Sequence, residues 1–319
     1  MDNKKVVVFG GGTGLSYLLK GLQKFPIDIT AVITVSDNGR STGKLRQEFH
    51  IPAVGDIRKV ITNLSGIDEP IKEMMSYRFK TSSDLDGHAV GNLILTAMLD
   101  ITGSLKDSIA HLSKLLDVKH TVLPISEDKD LTLMCEDVKG NIIEGEEEIT
   151  HNPHKIKRIF YKNEPKVLPE CIQALKEADL IILSMGSLIT SVLPNVICKE
   201  VEDTIASVKT PIMYLCNIVT QPGETDGFSV SDHVKLINSY LTNRKVDVVV
   251  ANKEKISEKM AKKYETEEQK DPVLIDYKEL DKMGVELIED DLVTIDVDNT
   301  LKHDSLKLSS LIFSYLMRK

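Results

Sequence analysis

Short apolar runs alternate along this chain with longer stretches whose apolar positions recur at helical spacing. Lys5–Phe9, Ile29–Val35, Leu180–Leu183, Pro211–Cys216, Val246–Val250 and Leu292–Ile295 each read as strands. Several are apolar at nearly every position, which suits a strand covered by helices on both faces. Between Asp56 and Asp117 the spacing turns helical, over Ile57–Leu64, Pro70–Phe79, His88–Ile101 and Leu105–Leu116. Strands alternating with helices predict an α/β protein, a Rossmann-like three-layer sandwich around a mostly parallel sheet.

Residues 121–162 break that rhythm. Leu131–Cys135 and Asn141–Glu144 flank a turn at Lys139-Gly140, and Ile156–Tyr161 offers a third strand. This stretch is too short and too poor in core residues to fold alone, so it reads as a β insertion in a single domain spanning 1–319. Its Glu144–Glu148 run reads as a solvated acidic edge. Lys253–Lys270 reads as an exposed helix and Asp304–Met317 as an amphipathic one packed on the sheet.

Composition narrows the partners. The 319 residues are 41% hydrophobic and 28% charged, with a formal net charge of −9 and no long basic stretch. Nucleic acid is excluded as the main partner, because backbone binding needs a concentrated positive surface. No apolar run is long enough to span a bilayer, and the chain enters a strand at once without a signal peptide. Cys135, Cys171, Cys198 and Cys216 lie far apart in apolar settings and read as buried reduced thiols. The expected compartment is the cytoplasm; a homo-oligomer is left open.

The chemistry concentrates after the strands. Gly10–Gly14 follows the first strand and opens a helix, so Gly11, Gly12, Thr13 and Gly14 offer backbone N–H groups to a phosphate. After the second strand comes Ser36-Asp-Asn-Gly-Arg-Ser-Thr-Gly-Lys44. Asp37 stands where a dinucleotide fold places its ribose acid, yet this run is more polar than ribose binding requires. Asp37 beside Asn38, Ser41 and Thr42 suits a magnesium ion or an acceptor hydroxyl, and Gly39 and Gly43 admit close backbone approach. The run is no Walker A loop: it is one residue short before Gly43-Lys44, and Leu45 replaces the Ser or Thr. In Gly55-Asp-Ile-Arg58, Asp56 reads as a helix N-cap. Arg58 sits where cations are disfavoured, which a bound anion would offset. Four-residue spacing places His88 and Asn92 on one helix face.

Two later loops repeat the pattern. Gly186, Ser187 and Thr190 follow Leu180–Leu183 directly, with a helix expected from about Pro194 and Asn195 in its first turn. Asn217, Thr220, Gln221 and Glu224 lie in the long loop after Pro211–Cys216, before a capping box at Ser229 and Asp232. Four strand ends thus carry Gly- and hydroxyl-rich loops, and in a parallel sheet these share one edge.

Gly10–Gly14, Ser36–Gly39, Gly55–Arg58, His88–Leu93, Gly186–Asn195, Thr220–Thr225 and His303-Asp304 resemble, in order, the gluconeogenesis factor family. That family is related to the 2-phospho-L-lactate transferases (CofD-like) of coenzyme F420 synthesis. The resemblance implies a CofD-like fold and a cytoplasmic protein needed for growth and cell shape on gluconeogenic carbon. It also implies binding of uridine-diphosphate sugars such as UDP-N-acetylglucosamine. Ala89 departs from the usual His-Ser-Phe-Gly-Asn pattern, and Ser184-Met185 replaces the usual Gly-Pro before Gly186. Three readings stay open. In the first, a UDP-sugar binds with its diphosphate on Gly11–Gly14 and Gly186–Thr190, Arg58 neutralises charge and the Asn217 loop contacts base or sugar. The second is a transferase acting on a nucleotide-diphosphate donor, with Asp37 holding magnesium or the acceptor. The third, a nicotinamide-dependent oxidoreductase, rests on the glycine turn alone.

Overall fold

The structure is a computed structural model and describes residues 3–296 and 299–318. In chain order its strands are β1 (Lys4–Gly10), β2 (Ile27–Ile33), β3 (Thr121–Pro124), β4 (Leu133–Asp137), β5 (Ile142–Glu144) and β6 (Ile156–Tyr161). They continue as β7 (Leu180–Leu183), β8 (Ile212–Leu215), β9 (Val248–Asn252), β10 (Glu286–Asp290), β11 (Val293–Ile295) and β12 (Leu301–His303). Seven of them form a central sheet in the order β10-β9-β8-β7-β1-β2-β3, and every neighbouring pair is parallel. Val6 to Phe9 and Leu180 to Leu183 are all buried. Since successive strand residues face opposite ways, helices must cover both sides of the sheet. Helix Gly12–Leu22 packs between helices Gly55–Leu64 and Ser305–Met317, and helix Pro169–Glu177 packs against β1. Rings of Phe25 and Phe313, 5.1 Å apart, tie the last helix to the turn after the first.

The topology positions the site. From β1 the chain builds outward through β2 and β3, then returns to β7 on the other side of β1 and builds outward again. The strand order therefore reverses between β1 and β7, and their C-terminal ends open a crevice there. The insertion folds as its own antiparallel sheet, β5-β4-β6, beside that edge. The four cysteines are buried free thiols, and Ser229 with Asp232 forms the expected capping box. Among the described residues no helix is long and apolar enough to cross a membrane.

Several expectations need correction. Thr121–Pro124 pairs with β2 in the central sheet, so the inserted sheet begins only at β4. Val293–Ile295 pairs antiparallel with β12 and stands outside the central sheet; the edge place belongs to charged β10, Glu-Leu-Ile-Glu-Asp. Edge strands tolerate such charge, which hides them from a search for apolar runs. Asp56 does not cap its helix: Val54 is the N-cap, and Asp56 lies in the first turn paired with Lys59 at 2.8 Å. His88 precedes the helix Val90–Thr102, so it shares no helical face with Asn92. The long helix expected from Pro194 breaks after Val196 and resumes at Lys199–Ser207, because Cys198 adopts an extended backbone. Lys253–Lys270 is helical only from Glu258, closing with a π turn over Tyr264–Glu268.

Candidate functional site

The crevice between β1 and β7 holds a cleft of about 490 Å³ whose floor is glycine backbone: Gly11, Gly12, Gly14 and Gly186, with Thr13 and Ser187. Close approach explains the glycines. A Cβ on Gly14 would lie 2.2 Å from the Met185 carbonyl oxygen, so the turns after β1 and β7 touch only because this side chain is absent.

Polar side chains then fix the second turn. Asn217 accepts from the Gly186 N–H at 3.0 Å and donates to the Gly186 carbonyl at 2.7 Å, holding that peptide by both ends. Ser187 accepts from the Thr190 N–H (2.9 Å) and donates to the Glu224 carboxylate (2.6 and 2.8 Å). Glu224 also accepts from Ile189 N–H and Gln221 Nε2, tying the loop after β8 to the turn after β7. Burial pushes its pKa up to about 7, although the Ser187 and Ile189 donors pull the other way. Thr220 is spent on the Asp271 backbone through its N–H and hydroxyl.

Tyr17, Lys270, Lys302 and His303 complete the rim, and Lys302 makes no ion pair among the described residues. His303 donates from Nε2 to the Cys216 carbonyl (3.1 Å), and burial lowers its pKa to about 4, so the ring is neutral.

Asp37, Gly39, Ser41, Thr42, Arg58 and Asn92 line a different, smaller cleft of about 270 Å³, under the insertion. The Gly39 N–H donates to Asp37 at 2.9 Å, and Ser41 Oγ bonds His88 Nδ1 at 2.9 Å. Burial raises the Asp37 pKa; nearby Asp56 adds to this, while Gly39, Lys59 and Thr42 oppose it. Arg58 is only 5% exposed, and its Nε–H donates to Asn92 at 3.1 Å. Burial and the neighbouring Arg78 lower the Arg58 pKa to about 10, so it stays charged. Asp56 stands at the boundary: a Cβ on Gly11 would lie 2.6 Å from its Oδ2, while its partner Lys59 lines the second cleft.

The structure thus divides the candidates. Arg58 sits apart from the glycine turns it was expected to serve. Asn38 lies outside both clefts, accepting from the Glu147 N–H and donating to Glu148, each at 3.0 Å, and so fastens the insertion. Asn195 is fully buried and donates to the Ser191 carbonyl. Thr190 is buried behind Ser187.

Glu146 was missed. The acidic run is no solvated edge at this position: Glu146 lines the second cleft, and its Oε2 is buried without a partner. Burial first, then Asp37, Asp56 and Glu224, holds its carboxyl well above the usual range. Glu147 lines the same cleft but stays exposed, and nothing in a run of glutamates distinguishes the one that is half-buried. Tyr17, Arg78, Lys270 and Lys302 were also missed; only Lys302 had a signal, its place beside His303-Asp304.

An α/β fold with glycine-rich loops meeting at a topological switch point belongs to the class of open parallel-sheet proteins that place their ligands at that edge. Residues 6–293 match the family model for 2-phospho-L-lactate transferase CofD, and the chain belongs to that family. It is 41% identical over 313 residues to the gluconeogenesis factor of Bacillus subtilis strain 168, covering 98% of each chain. The gluconeogenesis factor of Halalkalibacterium halodurans is also 41% identical, over 98% of this chain and 96% of its own. A crystal structure of a UPF0052-family protein from Bacillus halodurans superposes with a TM-score of 0.93 at 40% identity, covering 98% of this chain and 99% of that one.

Proposed function

We propose that this chain is a gluconeogenesis factor that binds a nucleotide-diphosphate sugar, a UDP-sugar such as UDP-N-acetylglucosamine, at the glycine-lined cleft. In this reading it is a cytoplasmic protein needed for growth and cell shape on gluconeogenic carbon. The observation that carries the binding is the meeting of Gly11–Gly14 with Gly186–Ser187 at the switch point. Backbone N–H groups there suit a diphosphate, and Lys302, without an ion pair among the described residues, supplies counter-charge. Glu224, Asn217 and Thr220 hold the loops in place; Gln221 and the rim residues are left to meet base, ribose or sugar. Titration calorimetry with UDP-N-acetylglucosamine should show binding, and NAD(P) should show none by fluorescence. No heat with the UDP-sugar, alongside clear binding of another nucleotide, overturns this reading.

The half-buried Asp37 carboxyl in an adjoining cleft favours a second reading, a transferase acting on a nucleotide-diphosphate donor. Among the described residues no three His, Cys, Asp or Glu side chains are grouped to hold a metal. Magnesium therefore fits only where Asp37 and ligand phosphates share it. Bound there, it would stabilise charge on the leaving phosphate. Asp37→Asn should then abolish turnover and spare nucleotide binding; absence of turnover with every nucleotide-linked donor removes this reading.

A further inference from the structure

The second cleft carries donors that the protein leaves unused. The Asn92 amide must present Oδ1 to Arg58, because a guanidinium only donates, and this orientation fixes Nδ2 as a second donor. Asn92 is 1% exposed, lines the cleft, and its Nδ2 has no partner. A buried amide N–H left unbonded is costly, so it points to a group the protein itself does not supply. Arg58 repeats the signal. Its Nε is bonded, but among the described residues no carboxylate bonds it, and the nearby Asp56 charge, itself bonded to Lys59, only partly offsets a buried cation that stands beside Arg78. Arg78 donates to the Gly87 carbonyl and stands close enough for the two arginines to repel. Two like charges held together beside an orphan donor describe a seat for an anion.

The rest of the lining differs. Asp37, Glu146 and the exposed Glu147 line the same space with carboxyl groups. A fully anionic ligand would be repelled there, whereas hydroxyls would be received by Asp37 and Glu146. At about 270 Å³ the cleft is smaller than the glycine-lined one and suits a ligand smaller than a whole nucleotide. Donors arriving from Arg58, Asn92 and Arg78 suit the three terminal oxygens of a phosphate better than the two of a carboxylate.

We propose that this cleft is a separate site for a small phosphorylated polyol, its phosphate on Arg58, Asn92 and Arg78 and its hydroxyls on Asp37 and Glu146. It stands on residues outside the glycine-lined cleft, so it does not depend on the nucleotide reading. Titration calorimetry with glycerol 3-phosphate, inorganic phosphate, glycerate and glycerol tests it, with and without saturating UDP-N-acetylglucosamine. Glycerol 3-phosphate should bind more tightly than inorganic phosphate, with glycerate and glycerol silent, and the UDP-sugar should not compete. Arg58→Gln should weaken glycerol 3-phosphate at least tenfold. Because that variant removes a buried side chain, exposed Arg78→Gln is measured beside it, with an expected loss of several-fold. Glu146→Gln should leave inorganic phosphate binding intact and reduce the advantage of glycerol 3-phosphate over it. Failure of all probes, tighter glycerate binding, full affinity in both arginine variants, or competition by the UDP-sugar overturns the proposal. UDP-sugar binding measured alone reports on the nucleotide reading separately.

Discussion

The two clefts open on neighbouring parts of one sheet edge and are built from different materials. The cleft between β1 and β7 is made of backbone: glycine turns brought into contact, with Asn217, Ser187 and Glu224 holding them from behind. The cleft beneath the insertion is made of side chains: Asp37, Arg58, Arg78, Asn92 and Glu146, from five separate segments. A backbone site is rigid and tolerant of ligand detail, because every peptide offers the same N–H. A side-chain site is particular, because each group contributes a different charge and shape. The pairing contrasts two ways of building a cleft, one from repeated backbone groups and one from particular side chains.

The sharpest way to break this comparison is to spoil the backbone contact alone. Gly14→Ala places a methyl where the Met185 carbonyl already stands, and neither turn can yield without moving a strand end. Overpacking of this kind should cost about 3 kcal/mol in chemical denaturation. UDP-sugar binding should be lost while Asp37, Arg58 and Asn92 keep their arrangement. Retained UDP-sugar affinity in Gly14→Ala would mean that the ligand does not rest on these turns.

A smaller effect is expected from loosening the other cleft. Arg46 donates to the Ser36 and Asp37 carbonyls from Nη1, and to the Lys129 and Leu131 carbonyls from Nη2. It thereby ties the loop carrying Asp37 to the base of the insertion carrying Glu146. Losing these charge-assisted bonds in Arg46→Ala should cost about 2 kcal/mol. Hydrogen exchange should rise over 133–161 and spare the turns after β1 and β7. Uniform exchange across both regions would show that the clefts are not separable.

The same division governs what the sequence reveals. Gly11–Gly14 and Gly186–Ser187 were legible because a strand, a glycine and a helix start are adjacent in the chain, and parallel strands put their ends on one edge. The whole central sheet was legible but for β3 and β10, one short and proline-ended, the other a charged edge strand. Arg58 was visible as an anomaly, a cation in a first helical turn, yet its cleft was not. That cleft depends on how residues near 40, 58, 78, 92 and 146 meet in space, which no local pattern encodes. Glu146 illustrates the limit: it is half-buried in the fold while Glu147, lining the same cleft, and Glu148 stay exposed. Thr220 illustrates the converse, since its motif position pointed to a ligand and its hydrogen bonds go to the protein.

Glu224 lines neither cleft yet acts on both, and it gives a last test of their independence. Its carboxylate holds Ser187 in the first, and its charge is one of those raising Glu146 in the second. Its own pKa stands at about 7 against an ordinary 4.5, so between those values the folded chain holds a proton that the unfolded chain has released. Stability from this group is therefore fully present below about pH 4.5 and declines as pH rises towards 7. Glu224→Gln has no proton to lose. Its stability relative to the natural chain should improve from pH 5 to pH 8 by roughly 2 kcal/mol in urea denaturation, the pKa of about 7 already including the opposing Ser187 and Ile189 bonds. Parallel curves over that range would show that Glu224 is already solvated. In that case the loop after β8 is not closed over the turn after β7, and the backbone cleft is less rigid than its hydrogen bonds imply.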